Sequence, residues 1–175
     1  MKIITLESDQ GLLLKIKSNF CSLPLSSDDI AAIDLMKSTL DQLIDQAIGI
    51  AAVQIGYPKQ IFVLRINDKY EVFVNPSVDY ASPQKTFKKE ACLSIPGFLA
   101  LVKRPKKICI NYFDENGSPL RKEFEGILAQ AVCHEMDHLN GVLLTNRMEE
   151  QIEKNERVNA ERKKSKEKRK SSRRK

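Results

Sequence analysis

The chain has 175 residues, 42% of them hydrophobic and 30% charged, with a formal net charge of +6. That length suits one domain around one sizeable core, and no apolar run approaches the roughly 20 residues that cross a bilayer. Residues 161–175, "ERKKSKEKRKSSRRK", hold ten Lys/Arg and two Glu, a net of +8, so residues 1–160 sum to −2 and the tail supplies the basic character.

The first residues, "MKIITLESDQ", meet acids at Glu7 and Asp9 and lack the apolar core of a secretion signal. Cys21, Cys92, Cys109 and Cys133 show no close-paired framework. A reducing cytoplasm is the expected location, with each cysteine a ligand or core filler rather than half of a disulfide.

Along the chain, Ile30, Ile33, Met36, Leu40, Leu43, Ile44 and Ala47 recur at helical spacing, predicting a helix over 26–47 capped by Ser27 or Asp28. "IGIAAVQIGYP" (48–58) is rich in small residues and ends in a turn. "IFVLRI" (61–66) and "YEVFVNP" (70–76) read as a hairpin across "NDK". Residues 80–106 contain Pro83, Pro96 and Pro105 and are expected as short irregular strands and loops. "KICINYFD" (107–114) and "PLRKEFEG" (119–126) flank the turn signal Asn116-Gly117. A second helix is predicted over 126–140, stopped by Gly141. Residues 149–175 are expected as a charged helix that frays into a disordered basic tail. The fold class is α+β: mixed or antiparallel strands around a central helix, with an N-terminal helix and a core domain over 1–148.

The only two histidines of the chain lie four apart in "AVCHEMDHLNG" (131–141). On a helix, positions i and i+4 share a face, so His134 and His138 can offer two imidazoles to one metal ion. Glu135 lies one step round, where a carboxylate takes a proton from a metal-bound water. A divalent ion lowers that water's pKa to about 7, leaving a hydroxide nucleophile at neutral pH. The same helix carries Ile127, Leu128, Ala131, Val132 and Leu139, so it is expected to be buried. A hydrolytic site needs a third protein ligand from Cys, Asp or Glu, and "KKEACLSIPG" (88–97) offers Cys92 in a loop between strands. Cys133, beside His134, reads as a small core residue. A thiolate would favour zinc or ferrous iron over magnesium. Ile127 and Ala131 precede His134 by seven and three residues, and with Ile48 they are candidate walls of an apolar pocket.

Three stretches together, "GIAAVQ" (49–54), "EACLS" (90–94) and "HEMDH" (134–138), resemble peptide deformylase, a metallohydrolase that removes the formyl group from the initiating methionine of new bacterial proteins. The resemblance spans roughly residues 1–148. It implies Cys92, His134 and His138 as metal ligands, with Fe2+ in the cell and Zn2+ or Ni2+ as substitutes. It implies Glu135 as general acid/base. Gln54, through its amide, and Leu93, through its backbone N–H, would donate to the carbonyl oxygen, while the Gly49 carbonyl would accept from the formamide N–H. A glycine at 49 lets substrate come close to the backbone, and the pocket walls Ile48, Ile127 and Ala131 would hold the methionine side chain. The implied substrates are N-formylmethionyl nascent peptides.

Three positions depart from the family pattern: Ala47 and Ala91 replace usual glycines, and Leu99 stands where many relatives carry an arginine that helps hold the peptide. Glu90 and Arg104 match a family acid and base expected to pair behind the metal loop. The basic tail lies outside the resemblance and could neutralise phosphates of ribosomal RNA. A general metallopeptidase and a non-catalytic, ribosome-binding relative are the alternative readings; no oligomeric state is implied.

Overall fold

This computed structural model describes residues 3–148. The charged segment 149–175, expected as a fraying helix and basic tail, lies outside the described residues. After a short 3-10 turn (Gly11–Lys15) comes helix α1 (Ser27–Gln42), then β1 (Gly49–Ala51), a second 3-10 turn (Ala52–Ile55), β2 (Ile61–Ile66) and β3 (Lys69–Ala81). There follow β4 (Lys85–Cys92), β5 (Ile95–Pro105), β6 (Lys107–Phe113), β7 (Pro119–Glu125) and helix α2 (Gly126–Leu139). A five-stranded antiparallel sheet has the order β1-β2-β3-β6-β7, and β4 and β5 form a separate two-stranded sheet. The class is α+β.

The run "IFVL" explains the layering. Residues 61–64 are all buried, and alternate side chains enter two different cores. Ile61 and Val63 join Ile33, Met36 and Leu40 of α1, while Phe62 and Leu64 join Val132 and Leu139 of α2. The larger sheet is therefore covered by a helix on each face, which is why β2 lacks a polar face. Phe62 pairs across strands with Phe73, their rings stacked at 4.3 Å.

Several boundaries differ from the sequence expectation. Helix α1 ends at Gln42 rather than near Ala47, and its cap is Ser26 rather than the expected Ser27 or Asp28. Ser26 Oγ accepts from the Asp29 N–H while the Asp29 carboxylate accepts from the Ser26 N–H, a reciprocal capping box. Residues 80–106 are not irregular: β3 runs on to Ala81, and β4 and β5 form a long hairpin. The prolines punctuate rather than break it. Pro83 lies between strands, Pro96 follows the turn, and Pro105 closes β5. In the β2–β3 turn Asn67 and Asp68 both have positive φ, 51° and 60°, the conformation a two-residue hairpin loop requires.

Candidate metal centre

Two elements bring the donors together. Helix α2 packs on the large sheet and on β5, and its buried face carries His138, wholly inside, with His134 half-buried one turn earlier. Cys92 is not in a loop, as the sequence suggested, but is the last residue of β4. The register shifts between Ala91 and Cys92, so that Ala91 faces Leu99 and Cys92 faces Ile95. Such a bulge re-aims the side chain that follows it. Cys92 Sγ lies 3.2 Å from Nε2 of His138, and the two imidazole rings are edge-to-face with centroids 5.0 Å apart. One ligand atom from each of Cys92, His134 and His138 lies within 4.8 Å of the others.

The His134 ring is held from behind. Its Nδ1 meets Oε2 of Glu90 at 3.0 Å, which leaves Nε2 for the cluster. Arg104 donates from Nε and Nη2 to both Glu90 oxygens at 2.8 Å, and from Nη1 to Asp137 at 2.6 Å. Asp137 also accepts from Arg147. Glu90 and Arg104 thus pair as expected, while Asp137 and Arg147 extend the network beyond it. Burial opposes ionisation of Glu90, but hydrogen bonds from Arg104 and His134 outweigh it and hold the carboxyl down to about 2.

The donor set suits a divalent cation. Burial, reinforced by positive charge at His134 and Arg104, pushes His138 down to about 3, so its ring is neutral, the form that ligates. Burial works against charge on His134 too, yet Cys92, Glu90 and Glu135 draw a proton onto it and raise it to about 10. The cluster therefore attracts positive charge, and one sulfur with two imidazoles is chemistry for zinc or ferrous iron. Nδ1 of His138 is buried with no partner among the described residues.

Beside the cluster opens a pocket of about 530 Å³. Ile48, Gly49, Gln54, Leu93, Ile127 and Ala131 all line it, together with Cys92, His134 and Glu135, and His138 alone of the sequence candidates does not. Glu135 is buried and its Oε2 has no hydrogen-bond partner among the described residues. Burial pushes its carboxyl up to about 7, against the pull of His134. Gln54 is not a surface amide: its Oε1 accepts from the Ala51 N–H at 2.9 Å and its Nε2 donates to Ser94 Oγ at 3.1 Å. An amide nitrogen has two hydrogens, so one remains for a ligand. Leu93 sits in the turn next to Cys92.

The reason for a glycine at 49 differs from the one the sequence suggested. A Cβ there would lie 2.5 Å from Leu64 Cδ2 and 2.8 Å from Glu135 Oε1. The missing side chain makes room for the carboxylate of Glu135, not only for an incoming molecule. Ile127, 61% exposed, and Ile48, 36% exposed, stand at the rim, while Ala131 lies deeper. Ala91 does not have a positive φ; among the described residues the non-glycine positions that do are Asn67, Asp68 and Asn75. Sequence reasoning missed Ser94, fully buried against Gln54, and Gln130, whose amide donates to the Lys89 carbonyl at 3.0 Å. Their signal was present only as polar residues inside apolar surroundings.

A cysteine sulfur and two imidazoles gathered beside a pocket, with a buried carboxylate alongside, are the donor set of a metal-dependent hydrolase. The family model described as polypeptide deformylase matches residues 2–154, and the chain belongs to that family. A peptide deformylase of Rhizobium meliloti is 41% identical over 128 residues, which cover 70% of this chain and 74% of the relative. One of Borreliella burgdorferi is 43% identical over 111 residues, covering 62% and 67%. The crystal structure of a Synechococcus elongatus peptide deformylase in complex with actinonin superposes with a TM-score of 0.77 at 32% identity, over 91% of this chain and 85% of that one. A Met-Ala-Ser-bound peptide deformylase from Acinetobacter baumannii gives 0.75 at 27% identity, over 84% and 97%.

Proposed function

We propose that this protein hydrolyses the formyl group from N-formylmethionyl nascent peptides, with Cys92, His134 and His138 as metal ligands and Glu135 as general acid/base. The observation that carries the reading is the convergence of those three donors within 4.8 Å at a pocket that Glu135 also lines. Fe2+ is the proposed ion in the cell, with Zn2+ or Ni2+ able to replace it. Bound there, a divalent ion would act as a Lewis acid, acidifying water and polarising the formyl carbonyl.

The remaining work falls to the chain itself. Glu135 takes the proton of the attacking water and passes it to the departing amine nitrogen. As the formyl carbon becomes tetrahedral, charge grows on its oxygen. The free N–H of Gln54 and the backbone N–H of Leu93 donate to that oxygen, held in place before reaction begins. The hydrogen bonds from Ala51 to Gln54 and from Gln54 to Ser94 fix the amide's orientation, so no reorientation is needed. The Gly49 carbonyl accepts from the formamide N–H. Ala131 faces the methionine side chain at depth, with Ile48 and Ile127 at the mouth. The proposed setting is the bacterial cytoplasm, with the 161–175 tail contacting ribosomal RNA through its basic residues; among the described residues no helix is long and apolar enough to cross a membrane.

The test is formate release from formyl-Met-Ala-Ser, with unformylated Met-Ala-Ser as the control for peptidase action. The metal-loaded protein is expected to release formate from the first and no amino acid from the second. Glu135→Gln should retain its metal while turnover falls by about 10²–10⁴-fold. Undiminished turnover in that variant would remove Glu135 from the mechanism.

A further inference from the structure

Alternate residues of β2 form a column facing α1. Ile61 pairs with Val74 and Val63 with Val72, and all four join the core beneath that helix. The next pair in the column is Arg65 with Tyr70, level with the helix end at Gln42. Both side chains grip the chain there. The Tyr70 hydroxyl donates to the Asp41 carboxylate in the last turn of α1, and Arg65 Nη2 donates to the Ile44 carbonyl. The backbone N–H of Arg65 donates to the Ile48 carbonyl at 2.8 Å. One residue thus holds both ends of the segment 44–48.

That segment is a wall of the metal-site pocket: Gln46, Ala47 and Ile48 line it, while Arg65 and Tyr70 do not. Its own backbone bonds are local, running from the Gln46 and Ala47 N–H groups back to Leu43. Strand pairing begins only at Gly49, opposite Leu64. Ile44 is 56% exposed, so burial does not pin the turn at that point. Arg65 Nη1 is shut off from solvent without a partner among the described residues, a cost that a freely hydrated surface arginine does not carry.

We propose that Arg65, with Tyr70 beside it, is a positioning residue for substrate selection: from outside the pocket it straps the 44–48 turn so that Ile48 stands against the first side chain of the formylated peptide. Removing the strap loosens the wall and weakens the hold on that side chain. Gly49, fixed by its pairing with Leu64, and the metal donors keep their places. The proposal rests on the deformylase reading above and adds to it a residue that sets preference without touching substrate.

The experiment measures formate release by the metal-loaded full chain from formyl-Met-Ala-Ser and formyl-Gly-Ala-Ser. Arg65→Met keeps the aliphatic stem and removes the side-chain donors. It is expected to lower the Met-over-Gly ratio of kcat/KM by about five- to tenfold through a raised KM for the Met peptide, within what one charge-assisted hydrogen bond supplies. Arg65→Lys, which restores a cationic donor, should recover most of the ratio. Tyr70→Phe deletes only a hydroxyl and should shift the ratio the same way by about two- to threefold; it decides the question if Arg65→Met does not fold. Backbone hydrogen exchange over 43–48 should speed up in Arg65→Met while exchange in α2 stays as in wild type. An unchanged ratio, or an equal fall for both peptides, with formate released by the wild type, would overturn the strap and leave the deformylase reading intact. No formate from either peptide with the wild type would overturn both.

Discussion

The two oxygens of Glu90 each accept from Arg104 at 2.8 Å, and one of them also meets Nδ1 of His134 at 3.0 Å. A surface cation could not do this; Arg104 and Glu90 are almost wholly buried. The pair fixes the tautomer and aim of His134, a proposed metal ligand, from behind, and Asp137 returns a second anion to the same guanidinium. Arg104→Ala would leave Glu90 and Asp137 as buried charges short of a partner. Urea unfolding of the metal-free variant is expected to show a loss of about 3–5 kcal/mol. Glu90→Gln keeps the volume and removes the charge, so its larger effect should fall on the ion: affinity in a chelator competition is expected to drop by about 10–100-fold. Wild-type metal affinity in that variant would reduce Glu90 to a purely structural part.

Gly49→Ala tests the other side of the same centre. The new methyl would meet Leu64 and Glu135 at contacts real side chains do not make. Overpacking of this kind costs about 1–3 kcal/mol. Because the nearest atoms to the new methyl belong to Leu64 and Glu135, metal content should stay at one ion per chain while formate release falls with the displaced carboxylate. A variant with normal melting temperature and normal turnover would show that Glu135 has room to spare.

Gln54 offers a cleaner separation of binding from rate. Its Oε1 secures the Ala51 N–H, so Gln54→Glu keeps that acceptor while removing both amide hydrogens, the one given to Ser94 and the one proposed to reach the substrate oxygen. Turnover number is expected to fall by about 10²–10³-fold, the usual loss for one donor to a developing oxyanion. Metal content should be unchanged. A rise in KM alone would assign Gln54 to holding substrate in its ground state.

Much of this centre was legible from residue spacing because a helix converts it directly into geometry. His134 and His138 could be placed on one face before any coordinates. The hairpin β4–β5 was not legible. Its outward positions mix Phe87, Lys89, Leu99 and Lys103, so apolar and charged residues do not alternate cleanly, and Pro96 and Pro105 within it, with Pro83 just before it, resemble breaks. Helix α1 was overextended because Leu43, Ile44 and Ala47 continue the apolar spacing past Gln42. The Asp137–Arg147 contact escaped notice because long-range pairing of charges leaves no periodic trace. Gly49 was legible as a requirement, but the atom demanding the space, Glu135 Oε1, lies 86 residues away in sequence and appears only in the fold.

The cap of α1 gives stability a pH dependence remote from the metal. Burial would raise the Asp29 carboxyl, but hydrogen bonds from Ser26 and from the Tyr57 hydroxyl, the latter at 2.8 Å, outweigh it and hold it below the usual aspartate range. Partial burial and the adjoining Asp29 carboxylate push Tyr57 up to about 12. A folded-state value below the unfolded one of about 3.9 means that the folded chain binds this proton less readily. Ionised Asp29 therefore adds stability that is fully present above about pH 4 and is lost as pH falls through the folded value. Asp29→Asn should be less stable than wild type at neutral pH and should show a shallower fall in melting temperature between about pH 5 and pH 2. Ser26→Ala removes the other half of the box and is expected to cost about 1 kcal/mol at neutral pH. Metal-free protein should be used throughout, so that loss of the ion in acid does not enter the slope. If Asn at position 29 leaves that slope as steep as in the wild type, other carboxylates carry the acid sensitivity.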